Sequence, residues 1–229
     1  MSRMGKRISK AYENLESVDF LTLSEAIKTI KSRASAKFDE TVEIAMNLNV
    51  DVRRADQTVR GMVQLPHGTG KNLRVAVFAK DEKAKEALTA GADYAGSDEL
   101  TDMIQKGEIN FDRCIATPDM MIVVGKLGKI LGPKGLMPNP KLGTVTANVT
   151  EAVKAAKGGQ IEYRAEKAGI VHGGVGKISF SEDKLEENIK MYIETVLKAR
   201  PAGIKGNYLK KISLSSTMGP SIKVDISEF

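Results

Sequence analysis

The chain has 229 residues, 41% of them apolar and 28% charged, and it lacks tryptophan. This composition suits one large or two modest folded domains and excludes a disordered chain. A net charge of +6 permits a polyanionic partner without requiring one, and a single cysteine excludes an intrachain disulfide.

Residues 1–10 carry Arg3, Lys6, Arg7 and Lys10 and no acid. Such a basic arm is expected to fray, with contact to a polyanion as the alternative. No apolar core follows to make a signal peptide, and the longest apolar run, residues 120–124, is too short to cross a bilayer. A soluble protein of a reducing compartment is expected. Thr22 and Glu25 form a capping-box pattern ahead of a helix that places Leu23, Ala26, Ile27 and Ile30 on one face. Residues 42–50 alternate Val, Ile, Met, Leu, Val with Glu, Ala and Asn, the period of a half-buried antiparallel strand. Just before it stands Lys37-Phe38-Asp39-Glu40-Thr41, read by default as a connection with Phe38 packed inward. A second strand is expected near residues 59–65.

At Pro66-His67-Gly68 the texture changes. Residues 73–79 (LRVAVFA) form a nearly continuous apolar run, as in a strand covered on both faces. Helical stretches at 81–90 and 98–106 flank a short ADYAG segment, and 111–117 is a further strand. Such alternation predicts a parallel βαβ sheet. A helix over 150–157 stops at Gly158-Gly159. Beyond it, strands over 161–166 and 170–180 restore an antiparallel texture. Ser181 is placed to cap a long helix with Leu185, Ile189, Ile193, Val196 and Leu197 on one side. The last strands, 208–215 and 222–226, are joined by Thr217-Met218-Gly219-Pro220, either a plain turn or a projecting tip suited to RNA. The two texture changes predict an outer α+β domain from residues 1–66 and 160–229 and an inserted α/β domain over 67–159. Pro66, Gly68, Gly158 and Gly159 mark hinge crossings between them. Residues 67–159 carry 13 basic and 11 acidic side chains and the remainder 22 and 18, so neither part is a blanket polycation. Any nucleic-acid site must therefore be a shaped surface.

Chemistry-bearing residues are few. Cys114 sits in an apolar stretch and reads as a buried small hydrophobe. His67 and His172 lie beside glycines, as in exposed turns, and two histidines with one cysteine make no ordinary zinc site. The stretch 125–143, GKLGKILGPKGLMPNPKLG, holds five glycines, three prolines and Lys126, Lys129, Lys134 and Lys141 without an acid. It reads as a backbone shaped for phosphate or as a long exposed loop with solvated lysines, and it matches neither common nucleotide-binding signature. The best enzymatic alternative is a nucleotide-dependent enzyme on the inserted α/β domain, but the dinucleotide glycine fingerprint is missing after residues 73–79.

Several motifs together match one family. Lys37-Phe38-Asp39-Glu40-Thr41, Asp56-Gln57-Thr58-Val59-Arg60-Gly61, Pro66-His67-Gly68, the LGPKGLMPNPK run of 131–141 and Thr217-Met218-Gly219 stand at its spacing. Over nearly its whole length the chain resembles the family of large-subunit ribosomal protein one, in its bacterial form. The resemblance implies an α+β RNA-binding domain split between both chain ends, with an inserted α/β Rossmann-like three-layer domain. It implies a structural, non-enzymatic role without a cofactor, in the mobile stalk beside the tRNA exit site of a cytoplasmic ribosome. The implied partners are large-subunit ribosomal RNA, exit-site tRNA during release of deacylated tRNA, and the protein's own operon messenger RNA, whose translation it represses. The free protein would be a monomer with no membrane association. Carried over residue by residue, the RNA contacts are Phe38, Thr41, Thr217, Met218 and Gly219, with Lys37, His172 and Lys177 beside them. Lys129, Lys134 and Lys141 are expected either to make a secondary RNA contact or to belong only to a shaped loop at the edge of the inserted domain. The family often has arginine in place of Lys129 and Lys134, and lysine cannot make the bidentate phosphate contact.

Overall fold

The computed structural model describes residues 5–13, 15, 20–227 and 229. In chain order the elements are α1 (Lys6–Tyr12), α2 (Leu23–Arg33), β1 (Thr41–Leu48), β2 (Arg60–Gln64), β3 (Val75–Phe78), α3 (Asp81–Thr89), β4 (Tyr94–Gly96), α4 (Asp98–Gln105) and β5 (Arg113–Ala116). There follow α5 (Met121–Lys126), α6 (Gly128–Leu131), α7 (Val149–Lys157), β6 (Gln160–Arg164), β7 (Ile170–Lys177), α8 (Glu182–Lys198), β8 (Leu209–Ser216) and β9 (Ser221–Val224). The fold is mixed α/β with several sheets. Contacts gather into two compact units, Met1–Gly70 with Ile161–Phe229, and Lys71–Gln160. Among the described residues no helix is long and apolar enough to cross a membrane.

The first unit is built on an antiparallel sheet of order β7-β1-β8-β9, with a separate pair β2-β6. Alternation in β1 turns Val42, Ile44, Met46 and Leu48 into a core shared with Leu23, Ala26, Ile27 and Ile30 of α2 and Leu185, Ile189, Tyr192 and Ile193 of α8. Burying each large aliphatic side chain is worth about 1.5–3 kcal/mol, so this shared face fixes both helices on one side of the sheet. The capping box at the start of α2 is present: Thr22 Oγ1 accepts from Glu25 N–H, and the Glu25 carboxylate accepts from Thr22 N–H. Ser181 stands at the N-cap of α8 with extended backbone but makes no side-chain capping bond, so its expected cap is positional only. The basic segment is helical over residues 6–12 rather than frayed; Arg3 lies outside the described residues.

The glycines of β7 serve packing. A Cβ on Gly173 would lie 2.7 Å from the Tyr192 ring, and one on Gly176 2.7 Å from Leu185 Cδ2. Their absence of side chains lets α8 approach the sheet. His172 is consequently a strand residue, not the turn residue its glycine neighbours suggested.

The second unit has a parallel sheet of order β4-β3-β5. All four residues of β3 are buried, as its apolar run requires. Ala76, Phe78, Cys114 and Ala116 face one core with α4, while Val75, Val77 and Ile115 face another with Val149 and Val153 of α7. Burial pushes the Cys114 thiol up to about 12, which leaves it a packed hydrophobe rather than a nucleophile. The ADYAG segment supplies β4 at the sheet's edge.

Candidate nucleic-acid interface

The face of the four-stranded sheet turned away from α2 and α8 carries small and polar residues. One row across it reads His172, Ala45, Ser213, Lys223, and a second reads Gly174, Glu43, Ser215, Ser221. All eight are half-buried or exposed. At one end of this face the chain before β1 meets the turn between β8 and β9.

That junction is tied by hydrogen bonds. Thr41 N–H donates to Thr217 Oγ1 at 3.0 Å, and Thr217 N–H donates to the Thr41 carbonyl at 3.1 Å. Lys177, paired with Thr41 across β1 and β7, donates through Nζ to Thr41 Oγ1 at 3.0 Å and to the Asp39 carbonyl at 3.2 Å. The Asp39 carboxylate in turn accepts from Ser179 N–H and Oγ. Glu40 lies beneath, only 1% exposed. Its Oε1 accepts from Ala36 N–H at 3.1 Å and its Oε2 from Met218 N–H at 2.9 Å. Burial by itself would raise the Glu40 carboxyl. The nearby Ser216 hydroxyl, the Met218 and Ala36 N–H groups and the Arg7 charge outweigh it and hold the group below its ordinary value.

The structure thus sorts the expected contact residues. Phe38 is 54% exposed and Met218 43%, and Lys37 and Thr217 are exposed beside them. The default expectation that Phe38 packs inward is wrong: the buried side chain at this connection is the acid two residues later. Thr41 is nearly buried, with its hydroxyl held by Lys177. Gly219 closes the turn by donating its N–H to the Ser216 carbonyl at 3.1 Å. A Cβ there would stand 2.3 Å from Ser216 Oγ, so no larger residue fits without movement. His172 is exposed on the open face, with Glu166 Oε1 3.8 Å from its Nε2.

Residues 125–143 are not one long open loop. Leu127, Leu131 and Leu142 are buried in or beside the core, and α5, α6 and a short 3-10 turn at Pro140–Leu142 take up much of the stretch. Asn139 and Thr144 fix the turn: Thr144 Oγ1 accepts from Asn139 N–H at 2.8 Å, and Asn139 Oδ1 accepts from Lys141 N–H at 2.9 Å. Gly135 and Gly143 have φ of 71° and 60°, a backbone that suits glycine. Lys126, Lys129, Lys134 and Lys141 project into solvent.

Pro66 and Gly68 sit in a strap fixed to α8. The wholly buried Asn188 accepts from His67 N–H at 3.1 Å and donates to the Gly68 and Val175 carbonyls at 3.0 and 2.8 Å. Gly158 and Gly159 close α7, Gly159 with φ 93°. Among the described residues no group of three or more His, Cys, Asp or Glu is arranged to hold a metal ion.

The fold is mixed α/β, and at one end of its open antiparallel sheet a hydrogen-bonded turn stands beside the exposed side chains of Phe38 and Met218. The sequence model of the ribosomal protein L1p/L10e family matches residues 30–220. The chain therefore belongs to that family, and it is an RNA-binding protein of the large ribosomal subunit. The family consists of structural ribosomal proteins rather than enzymes.

Glu40, Ser216 and Arg7 are the site residues that sequence reasoning missed. An acid within Lys37–Thr41 carries no pattern that marks it as buried. Ser216 ends β8 with core-facing parity, since it pairs with the buried Val42, and the strand register would have found it.

Proposed function

We propose that the chain holds a folded segment of large-subunit ribosomal RNA on the junction of Phe38, Thr41, Thr217, Met218 and Gly219. Lys37, His172 and Lys177 flank it. The single observation that carries this reading is the tie of Glu40 to both Ala36 and Met218. It freezes two segments distant in sequence into one surface before any ligand arrives, which lowers the ordering cost of binding. Exposed Phe38 and Met218 offer flat, polarisable faces to splayed bases or ribose. The exposed Lys129, Lys134 and Lys141 are secondary phosphate contacts.

On this reading the split α+β domain is the RNA anchor and the α/β unit is an insert, with crossings at Pro66–Gly68 and at Gly158–Gly159. The protein acts in the cytoplasm, as a monomer when free and as part of the mobile stalk when bound. There it assists release of deacylated tRNA from the exit site. A messenger RNA that copied the shape of the ribosomal site would occupy the same face, which is the basis proposed for repression of its own operon.

Met218→Ala and Phe38→Ala test the reading, because both side chains are exposed and neither supports the fold. Phe38→Ala should weaken binding to the ribosomal RNA by about 1–3 kcal/mol, the range for a base stacked on an aromatic side chain, and Met218→Ala should weaken it as well. Filter binding that finds both variants equal to the wild type would remove the junction as the RNA site.

A further inference from the structure

Helix α1 precedes residues 30–220, which the family's sequence model matches, and it is fastened to the candidate site. None of its residues is fully buried, and Ile8, Ala11 and Tyr12 are half-buried. Polar bonds add to this packing. Arg7 Nη1 donates to the Met218 carbonyl at 2.8 Å, and Tyr12 Oη accepts from Ser221 N–H at 3.0 Å. Arg33 Nη1 donates to the Ala11 and Glu13 carbonyls, both at 2.8 Å. Two of these anchors belong to the site itself: Met218 is its exposed tip, and Ser221 stands on the open face of the sheet.

The helix brings positive charge with it. Lys6 and Lys10 are one helical turn apart, both are exposed, and neither ammonium group has an ion-pair or hydrogen-bond partner among the described residues. Like charges at this spacing disfavour a helix, and α1 has no acid in its first turn to offset them. A seven-residue helix is also too short to be stable alone. The anchors to Met218 and Ser221 therefore hold a repulsive cationic pair beside the turn, an arrangement that a polyanion lying on the turn would relieve.

We infer that α1 is an additional RNA contact, in which Lys6 and Lys10 meet the phosphate backbone of the RNA seated at Met218. Arg7 keeps the arm in register with the turn. This inference rests on the reading that the junction binds RNA. Phosphate contacts carry no base information, so the arm contributes affinity and leaves selectivity to the junction.

The test is filter binding of the full-length Lys6→Gln/Lys10→Gln double variant to large-subunit ribosomal RNA and to an unrelated RNA, over a range of salt. Two lost phosphate contacts should make the slope of log affinity against log salt shallower by about 1.4–1.8, and should weaken both RNAs by the same factor. A slope equal to the wild type's overturns the inference. Met218→Ala in the same assay reports on the junction separately, because an uncharged substitution should lower affinity and leave the slope unchanged. Failure of the arm and failure of the junction are thereby distinguishable.

Discussion

The Glu40 carboxylate accepts the Met218 N–H at 2.9 Å, and through it the chain before β1 holds the turn after β8. Its second oxygen accepts the Ala36 N–H, so one buried side chain sets both halves of the junction. Burying a carboxylate is costly unless donors meet it. Here its partners more than offset the burial, and the resulting bonds are charge-assisted.

Glu40→Gln keeps the shape but must point an amide N–H₂ at one of the two backbone N–H donors. The unmet donor should cost about 1–3 kcal/mol, read as faster amide hydrogen exchange at Ala36 or Met218. The same bond makes the junction acid-sensitive. The folded-state carboxyl lies below its ordinary value of 4.5. Its contribution is therefore complete above that pH and is lost as pH falls through the folded value. In the wild type, protection of the Met218 amide should drop below pH 4.5. In Glu40→Gln it should show no such step. An identical acid step in the two proteins would assign it to another group.

Gly219 is a steric requirement of the same turn. A Cβ would stand 2.3 Å from Ser216 Oγ but 3.5 Å from Ser216 Cβ. Gly219→Ala should displace the turn at a cost of about 1–3 kcal/mol, the usual range for overpacking, and weaken RNA binding with it. Ser216→Ala removes the colliding oxygen but also the hydroxyl that helps hold Glu40 ionised, so it serves as the reference background. Adding Gly219→Ala to Ser216→Ala should cost less than adding it to the wild type, and an equal cost in the two backgrounds would show that the collision is not what makes glycine necessary.

What was legible in the sequence followed periodicity. The alternation of β1, the apolar stripe of α8 and the unbroken apolar run of β3 each name a buried face, because side-chain direction is fixed once the element type is known. The junction was harder to read. In Lys37-Phe38-Asp39-Glu40-Thr41 an aromatic lies outside and an acid inside, the reverse of what hydrophobicity favours. That inversion depends on donors from Ala36 and Met218, which are 182 positions apart in the chain and which no local pattern connects. The packed side of the stretch 125–143 was missed for a related reason. Its glycines and lysines suggested a phosphate loop, while Leu127, Leu131 and Leu142 were packing into the core beneath.

Asn188 had a legible signal, as a polar residue on the helix stripe that also holds Leu185, Ile189 and Tyr192. It is wholly buried and joins three elements, taking the His67 N–H and giving its own N–H groups to the Gly68 and Val175 carbonyls. Truncation in Asn188→Ala would strand all three backbone groups and open a small cavity. With each unmet buried group costing about 1–3 kcal/mol, the loss should reach several kcal/mol. It should fall on the strap over residues 66–68 and on β7. Hydrogen exchange should therefore show His67 losing protection, while the amides of β3 and β5, in the unit of Lys71–Gln160, keep theirs. Equal loss in both units would mean that they unfold as one cooperative body, and that Asn188 supports more than the strap it touches.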